Sequence, residues 1–167
     1  MTGRGPGFTV IELALVITLI GILAWIAYPR FASVYEVKLD AAAGRVAADL
    51  RYAQSRSIGT RTMHGVLFEP SQAKYTVFAP APGMPVSDPA DPGRTLQVDF
   101  ARKTEFQGVS IASAAFGSTS GVKFDFFGVP LDTAGAELSA PGRVVLLYRG
   151  YADTVEVSPG TGAVSVR

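Results

Sequence analysis

"GPGFTVIELALVITLIGILAWIAYPRF", residues 5–31, holds one acidic side chain, Glu12, inside an apolar run long enough to cross a membrane. Residues 8–28 are apolar at almost every position, and a helix needs about 20 such residues to match a bilayer's hydrocarbon core. A charge near the middle of that core costs roughly 2.5–3.5 kcal/mol on insertion scales. Glu12 lies one helical turn inside the run, where the cost is smaller, yet its carboxylate still calls for a partner.

Three readings of the segment compete. A cleaved secretory signal needs small residues one and three positions before the cut. Cutting after Ala27 places Trp25 at the outer position and cutting after Ala24 places Ile22 there, so neither bond fits. A plain membrane anchor suits the leader "MTGRGPG", which carries Arg4 and the starting amine and no acid. The positive-inside rule then holds the leader in the cytoplasm and exports the chain that follows Tyr28. Glu12 would complement the positive end of the helix dipole, but the step from Gly7 to Phe8 is left without a reason.

The third reading rests on that step. Gly7 followed by "FTVIE" and an apolar helix resembles the class III signal of type IV pilins and type II secretion pseudopilins. The resemblance implies that a prepilin peptidase cuts between Gly7 and Phe8 and methylates the Phe8 amine. Residues 1–7 become a leader peptide, residues 8–29 a transmembrane and filament-core helix, and Glu12 the fifth residue of the mature chain. Pro29 matches the position at which a proline commonly interrupts the family's helix. In a filament core the Phe8 amine and the Glu12 carboxylate are both costly if unpaired. Pairing Glu12 with a neighbour's Phe8 removes both costs and sets the axial stagger, for which Leu13, Leu15, Ile17 and the other aliphatic side chains have little preference.

Beyond Pro29 the helical pattern continues. Phe31, Tyr35, Leu39, Ala42, Val46, Leu50, Ala53 and Ser57 recur at spacings of three or four, which gives one apolar-to-small face. Glu36, Lys38, Asp40, Arg45, Asp49, Arg51 and Arg56 lie largely off that stripe, and Gly59 reads as the stop of a helix over 30–58. Past Gly59 the period becomes two. "HGVLFEPSQAKYTVFA" (64–79) reads as a hairpin turning at residues 70–72. "TLQVDF" (95–100), "FQGVSI" (106–111) and "GVKFDFF" (121–127) read as strands, the last with Val122, Phe124 and Phe126 on one face. The final stretch (143–167) gives a buried-type run from Val144 to Tyr148, then two alternating strands around "SPGTG".

A long helix followed only by strands implies an α+β fold, the helix laid across an antiparallel β-sheet. With the N-terminal resemblance, the expected fold is type IV pilin-like, the first half of the helix being transmembrane and residues 30–167 forming a periplasmic domain with strands over 62–167. "RYAQSRSIGTRTMHGVLF" (51–68) and the closing "G-AVSV" are similar to the GspH/FimT-like minor pseudopilin group.

The rest of the composition narrows the function. The 167 residues include no cysteine and a single histidine, His64, so no disulfide, thiolate site or multi-histidine metal site can form. A serine triad would have to use His64, and no nucleophile elbow is present; no enzyme and no cofactor are expected. Net charge is +1, and removing Arg4 with the leader leaves 14 basic against 14 acidic residues. DNA is therefore not an expected partner, although Arg102 with Lys103, and Arg143 with Arg149, are candidate basic patches. The proline-rich stretch over 79–93 holds five prolines and reads as a surface or contact loop rather than a central strand. Asp88 and Asp91 within it are weighed as a calcium pair and read as solvated charges. The resemblance implies a single-pass inner-membrane subunit of a type II secretion pseudopilus, whose partners are the prepilin peptidase, bilayer lipid and other pseudopilins. A minor pilin of a type IV pilus, acting in biogenesis or DNA uptake, and a tethered periplasmic domain with no filament role are the alternatives.

Overall fold

The computed structural model describes residues 9–167, apart from the side chains of residues 26–35. The chain divides into two units, Met1–Glu36 and Val37–Arg167. Helix α1, Val10–Thr60, supplies the described part of the first unit and opens the second. Within the second unit the face formed by Leu39, Ala42, Ala43, Val46, Ala47, Leu50, Ala53 and Ser57 is buried. The small residues on this face let the helix backbone approach the strands closely. The helix continues through Gly59, and the residue that leaves helical geometry is Arg61, with φ of 52°. A glycine read as a stop is thus the penultimate helical residue, and the left-handed position falls two residues later.

The strands form two main antiparallel sheets where the sequence suggested one. The first has the order β5-β2-β1-β7-β8 and contains β1 (His64–Glu69), β2 (Lys74–Phe78), β5 (Gln97–Asp99), β7 (Gly121–Phe124) and β8 (Pro130–Asp132). The second has the order β11-β10-β9-β6 and contains β6 (Ser110–Ala115), β9 (Gly142–Tyr148), β10 (Tyr151–Val157) and β11 (Val164–Val166). The β1–β2 hairpin turns through a 3-10 segment, Pro70–Gln72, and closes on Ala73 in the left-handed region. Strand β6 lies between β5 and β7 in sequence but pairs with β9, which makes the second sheet.

A single core lies among α1 and both sheets. Phe68, Tyr75, Phe100, Phe116 and Phe124 are essentially inaccessible. Phe68 stacks on Phe116 at 5.7 Å, Tyr75 meets Phe100 at 5.8 Å, and Phe106 packs edge-on to Phe100 at 5.6 Å. Two sequence expectations change here. Phe126 does not share a face with Val122 and Phe124; β7 ends at Phe124 and Phe126 is half exposed in the following turn. In β9 the alternate residues Gly142, Val144 and Leu146 are buried, since the strand covers the core with one face. Residues 106–111 likewise split, with Phe106 closing a 3-10 turn, Thr104–Phe106, before β6 begins.

The proline-rich stretch contains a cis peptide bond between Ala79 and Pro80. It also holds a separate two-stranded ribbon of β3 (Ser87–Asp88) and β4 (Asp91–Thr95). Its prolines keep it out of both large sheets, as the sequence indicates.

Candidate functional site

Gly7 and Phe8 lie outside the described residues. The description begins at Thr9, whose Oγ1 accepts the N–H of Glu12 at 3.3 Å while its carbonyl accepts the N–H of Leu13 at 3.1 Å. Thr9 is thus the N-cap of α1 and Glu12 the third helical residue. Thr-x-x-Glu has the spacing of a capping box, a signal present in the sequence that neither the counter-charge nor the dipole reading of Glu12 uses. The Glu12 side chain is exposed in the first turn, where a carboxylate favours the helix dipole.

Eleven large apolar side chains between Val10 and Trp25 are 42–86 % exposed. Among the described residues no helix is long and apolar enough to cross a membrane. The described side chains of the apolar run stop at residue 25, short of the roughly 20 residues that a span needs. Pro29 falls within the helix, but its side chain, like those of Phe31 and Tyr35, lies outside the described residues, and the kink expected there is not described.

The candidate basic patches carry their own counter-charges. Arg102 Nε lies 3.3 Å from Asp99, Lys103 Nζ 3.8 Å from Glu105, and Arg143 Nε 3.2 Å from Glu156, which Arg167 also approaches at 3.8 Å. Arg149 stands with Gly150 at the two-residue turn joining β9 to β10, both at positive φ. An open groove of about 620 Å³ runs past Arg94, Gln97, Asp99, Arg102 and Lys103. Each of its three cations lies within 3.8 Å of a carboxylate, Arg94 of Asp91, Arg102 of Asp99 and Lys103 of Glu105.

Asp88 and Asp91 serve their own ribbon. Asp88 Oδ1 accepts the N–H of Ala90 at 2.8 Å, and Asp91 accepts that of Gly93 and faces Arg94 Nε at 3.3 Å. No group of three or more acidic or histidine side chains able to hold a metal occurs among the described residues. His64 is buried, with Nδ1 2.7 Å from Thr62 O and its N–H donated to Ser57 Oγ at 2.8 Å. Its ring is engaged locally by the Thr62 carbonyl. Asp132 accepts N–H bonds from Ala136 at 2.9 Å and Gly135 at 2.7 Å and the Ser118 hydroxyl at 3.1 Å. These donors, the Ala136 N–H foremost, hold its carboxyl below the ordinary 3.8, so its contribution to stability is present above that pH and lost as pH falls through the lowered value.

One polar cluster was not legible as such. Asp49, one of the helix charges placed off the apolar stripe, is 7 % exposed. Its Oδ2 accepts Tyr75 Oη at 2.6 Å and Arg45 Nε at 3.0 Å. Burial pushes the Tyr75 phenol well above its ordinary 10.0, with the Asp49 charge adding to the shift. A raised phenol pKa means stability that is complete below pH 10 and is lost as pH rises towards the folded value. Tyr75→Phe should cost about 2 kcal/mol at pH 7, as expected for a hydrogen bond to a charged group. The variant should also lose less stability than the wild type between pH 9 and about pH 11. Urea unfolding of both proteins at the two pH values checks this, and parallel alkaline losses would place the phenol outside the cluster.

A scan of family models finds no match for this chain. A search of curated proteins likewise finds none. Among solved structures, the minor pseudopilin EpsH of the Vibrio cholerae type 2 secretion system is similar, with a TM-score of 0.56 at 12% identity, covering 78% of this chain and 96% of that one. The type IV minor pilin FimU of Pseudomonas aeruginosa is similar with a TM-score of 0.52 at 13% identity, covering 79% and 90%. The α+β arrangement of a long N-terminal helix packed on antiparallel sheets is the type IV pilin-like fold found in such minor pilins and minor pseudopilins.

Proposed function

We propose that the chain is a minor pseudopilin, a structural subunit of a type II secretion pseudopilus that supports protein transport across the outer membrane. The observation that carries this reading is the apolar helix surface over residues 10–25. Eleven exposed aliphatic and aromatic side chains cannot remain in water. A bilayer covers them before assembly and neighbouring helices cover them afterwards. The likeness to EpsH in fold supports the reading at the level of architecture. The likeness to FimU supports the close alternative, a minor pilin of a type IV pilus.

In this reading a prepilin peptidase removes residues 1–7 by cutting between Gly7 and Phe8 and methylates Phe8. Residues 8–29 anchor the subunit in the inner membrane, Pro29 interrupts the helix, and residues 30–167 stand in the periplasm. Other pilin-like subunits and bilayer lipid are the partners.

Membrane-derived protein from cells containing the peptidase should have the mass of a chain beginning at a methylated Phe8. A Met1 start in such cells would sink the proposal. Deleting the subunit should reduce secretion of exported enzymes while leaving surface pili intact; the reverse result would establish the type IV pilus alternative.

A further inference from the structure

The turn between β7 and β8 leaves two adjacent phenylalanines in solvent. Phe126 is 49 % exposed and Phe127 75 %, and their ring centroids are 4.5 Å apart. Single exposed apolar residues are ordinary on protein surfaces. This pair differs because the backbone beneath it is fixed from several directions. Asp125 Oδ1 accepts the N–H of Phe127 at 2.9 Å and that of Val129 at 2.8 Å. The N–H of Gly128 reaches Asp125 O at 3.0 Å. Gln54 on α1 donates Nε2 to both Gly128 O and Thr161 O, each at 2.9 Å, tying the turn to the helix and to the β10–β11 connection. Ile58, one helical turn further on, is 51 % exposed and also lies beside Gly128, where an added Cβ would come within 3.0 Å of its Cδ1. Anchors already held in place lose little freedom on docking, a property of interface hot spots.

The charge carried by the neighbouring segments is mainly positive. Three segments meet at Gln54, residues 50–61, 126–131 and 158–167. Together they carry Arg51, Arg56, Arg61 and Arg167; Arg167 approaches Glu156 at 3.8 Å, and the carboxylate within the turn, Asp125, is engaged by the N–H groups of Phe127 and Val129. We propose that Phe126, Phe127 and Ile58 form a docking knob for a second protein whose surface offers an apolar socket rimmed by carboxylates. A second copy of this face would set arginines against arginines, which disfavours self-association through it. The rings are tilted by 48° and packed on each other, so they offer no open parallel platform for a stacked base. In the filament reading the membrane segment ends at residue 29, well before Ile58 in the chain, which favours protein over the bilayer as the occupant. The partner's identity rests on the filament reading: it is another pilin-like subunit.

The test places the photo-crosslinking residue p-benzoylphenylalanine at Phe127 in the full-length chain, in cells that co-express the other pilin-like subunits, with the same probe at Leu19 in parallel. The expected result is a Phe127 adduct with one other subunit, mapped to a peptide bearing carboxylates. Adduct yield in solubilised membranes should fall at least about tenfold when Ile58→Ser and Phe126→Ser are added, and should fall as salt is raised. Both side chains are half exposed, so unchanged thermal unfolding of the double variant identifies the loss as one of contact. Subunit adducts from Leu19 with none from Phe127 would overturn the knob and leave the filament reading standing. Adducts from neither position would overturn both. A Phe127 adduct confined to lipid, nucleic acid or a second copy of this chain would also overturn the proposal.

Discussion

Gly65→Ala is expected to cost about 3 kcal/mol, at the upper end of the range for overpacking, and to lower the melting temperature by about 10 °C in a protein of this size. Gly65 lies in β1, paired with Phe78 of β2 on one side and Lys123 of β7 on the other. A Cβ at this position would meet the Val122 carbonyl oxygen and the tip of the Phe78 ring and would come within 2.8 Å of Lys123 Cα. Two of those three neighbours are backbone, so the clash is relieved only by spreading β1 from β7 in the middle of the first sheet. Phe78→Leu in the same chain should recover part of the loss, because the ring can be shortened and the carbonyl cannot. Urea unfolding of wild type, single and double variants checks this. A Gly65→Ala protein as stable as the wild type would mean that β1 and β7 do not pair in this register.

Local chemistry made the first hairpin legible. Residues 64–78 alternate, the turn holds Pro70, and both strands fall where the sequence puts them. The helix face from Leu39 to Ser57 was legible for the same reason, since a 3.6-residue period survives in the residues themselves. The division into two sheets was not legible. It depends on β6 crossing to pair with β9, more than 25 residues later in the chain, and "SIASAA" has no side chain that specifies a partner. The burial of Asp49 was not legible because helical periodicity says which face a charge lies on but not whether a tyrosine from a distant strand reaches it. Phe126 was misplaced because alternation was carried past the end of β7, where Asp125 folds the chain into a turn. At the N-terminus the threonine cap was in plain sight as "TVIE", whereas what covers the apolar helix surface belongs to other molecules and cannot be read from one chain.

The cap at Thr9 sharpens the test of Glu12. If Glu12 forms the buried counter-charge to a neighbour's Phe8 amine, Glu12→Leu leaves that amine unpaired in the filament core, a break that typically costs about 3–5 kcal/mol. Partial wetting of the first helical turn would bring the loss nearer 1 kcal/mol. If Glu12 only completes the capping box and complements the helix dipole, the loss is about 0.3–1 kcal/mol and falls on the subunit itself rather than on assembly. Glu12→Gln separates the two roles, because glutamine suits the third helical position of a capping box and carries no charge. Counter-charge chemistry predicts that the Gln and Leu variants both fail to enter sheared filaments or to pull down partner subunits. It also predicts that Glu12→Asp, with its charge on a shorter arm, is intermediate. All three should still be processed and inserted, the Leu variant at least as stably as the wild type, since it removes a desolvation cost. Capping alone predicts that Gln assembles like the wild type. Normal assembly of the Leu variant would remove Glu12 from the interface altogether and leave subunit register to be set by the shapes of the aliphatic side chains.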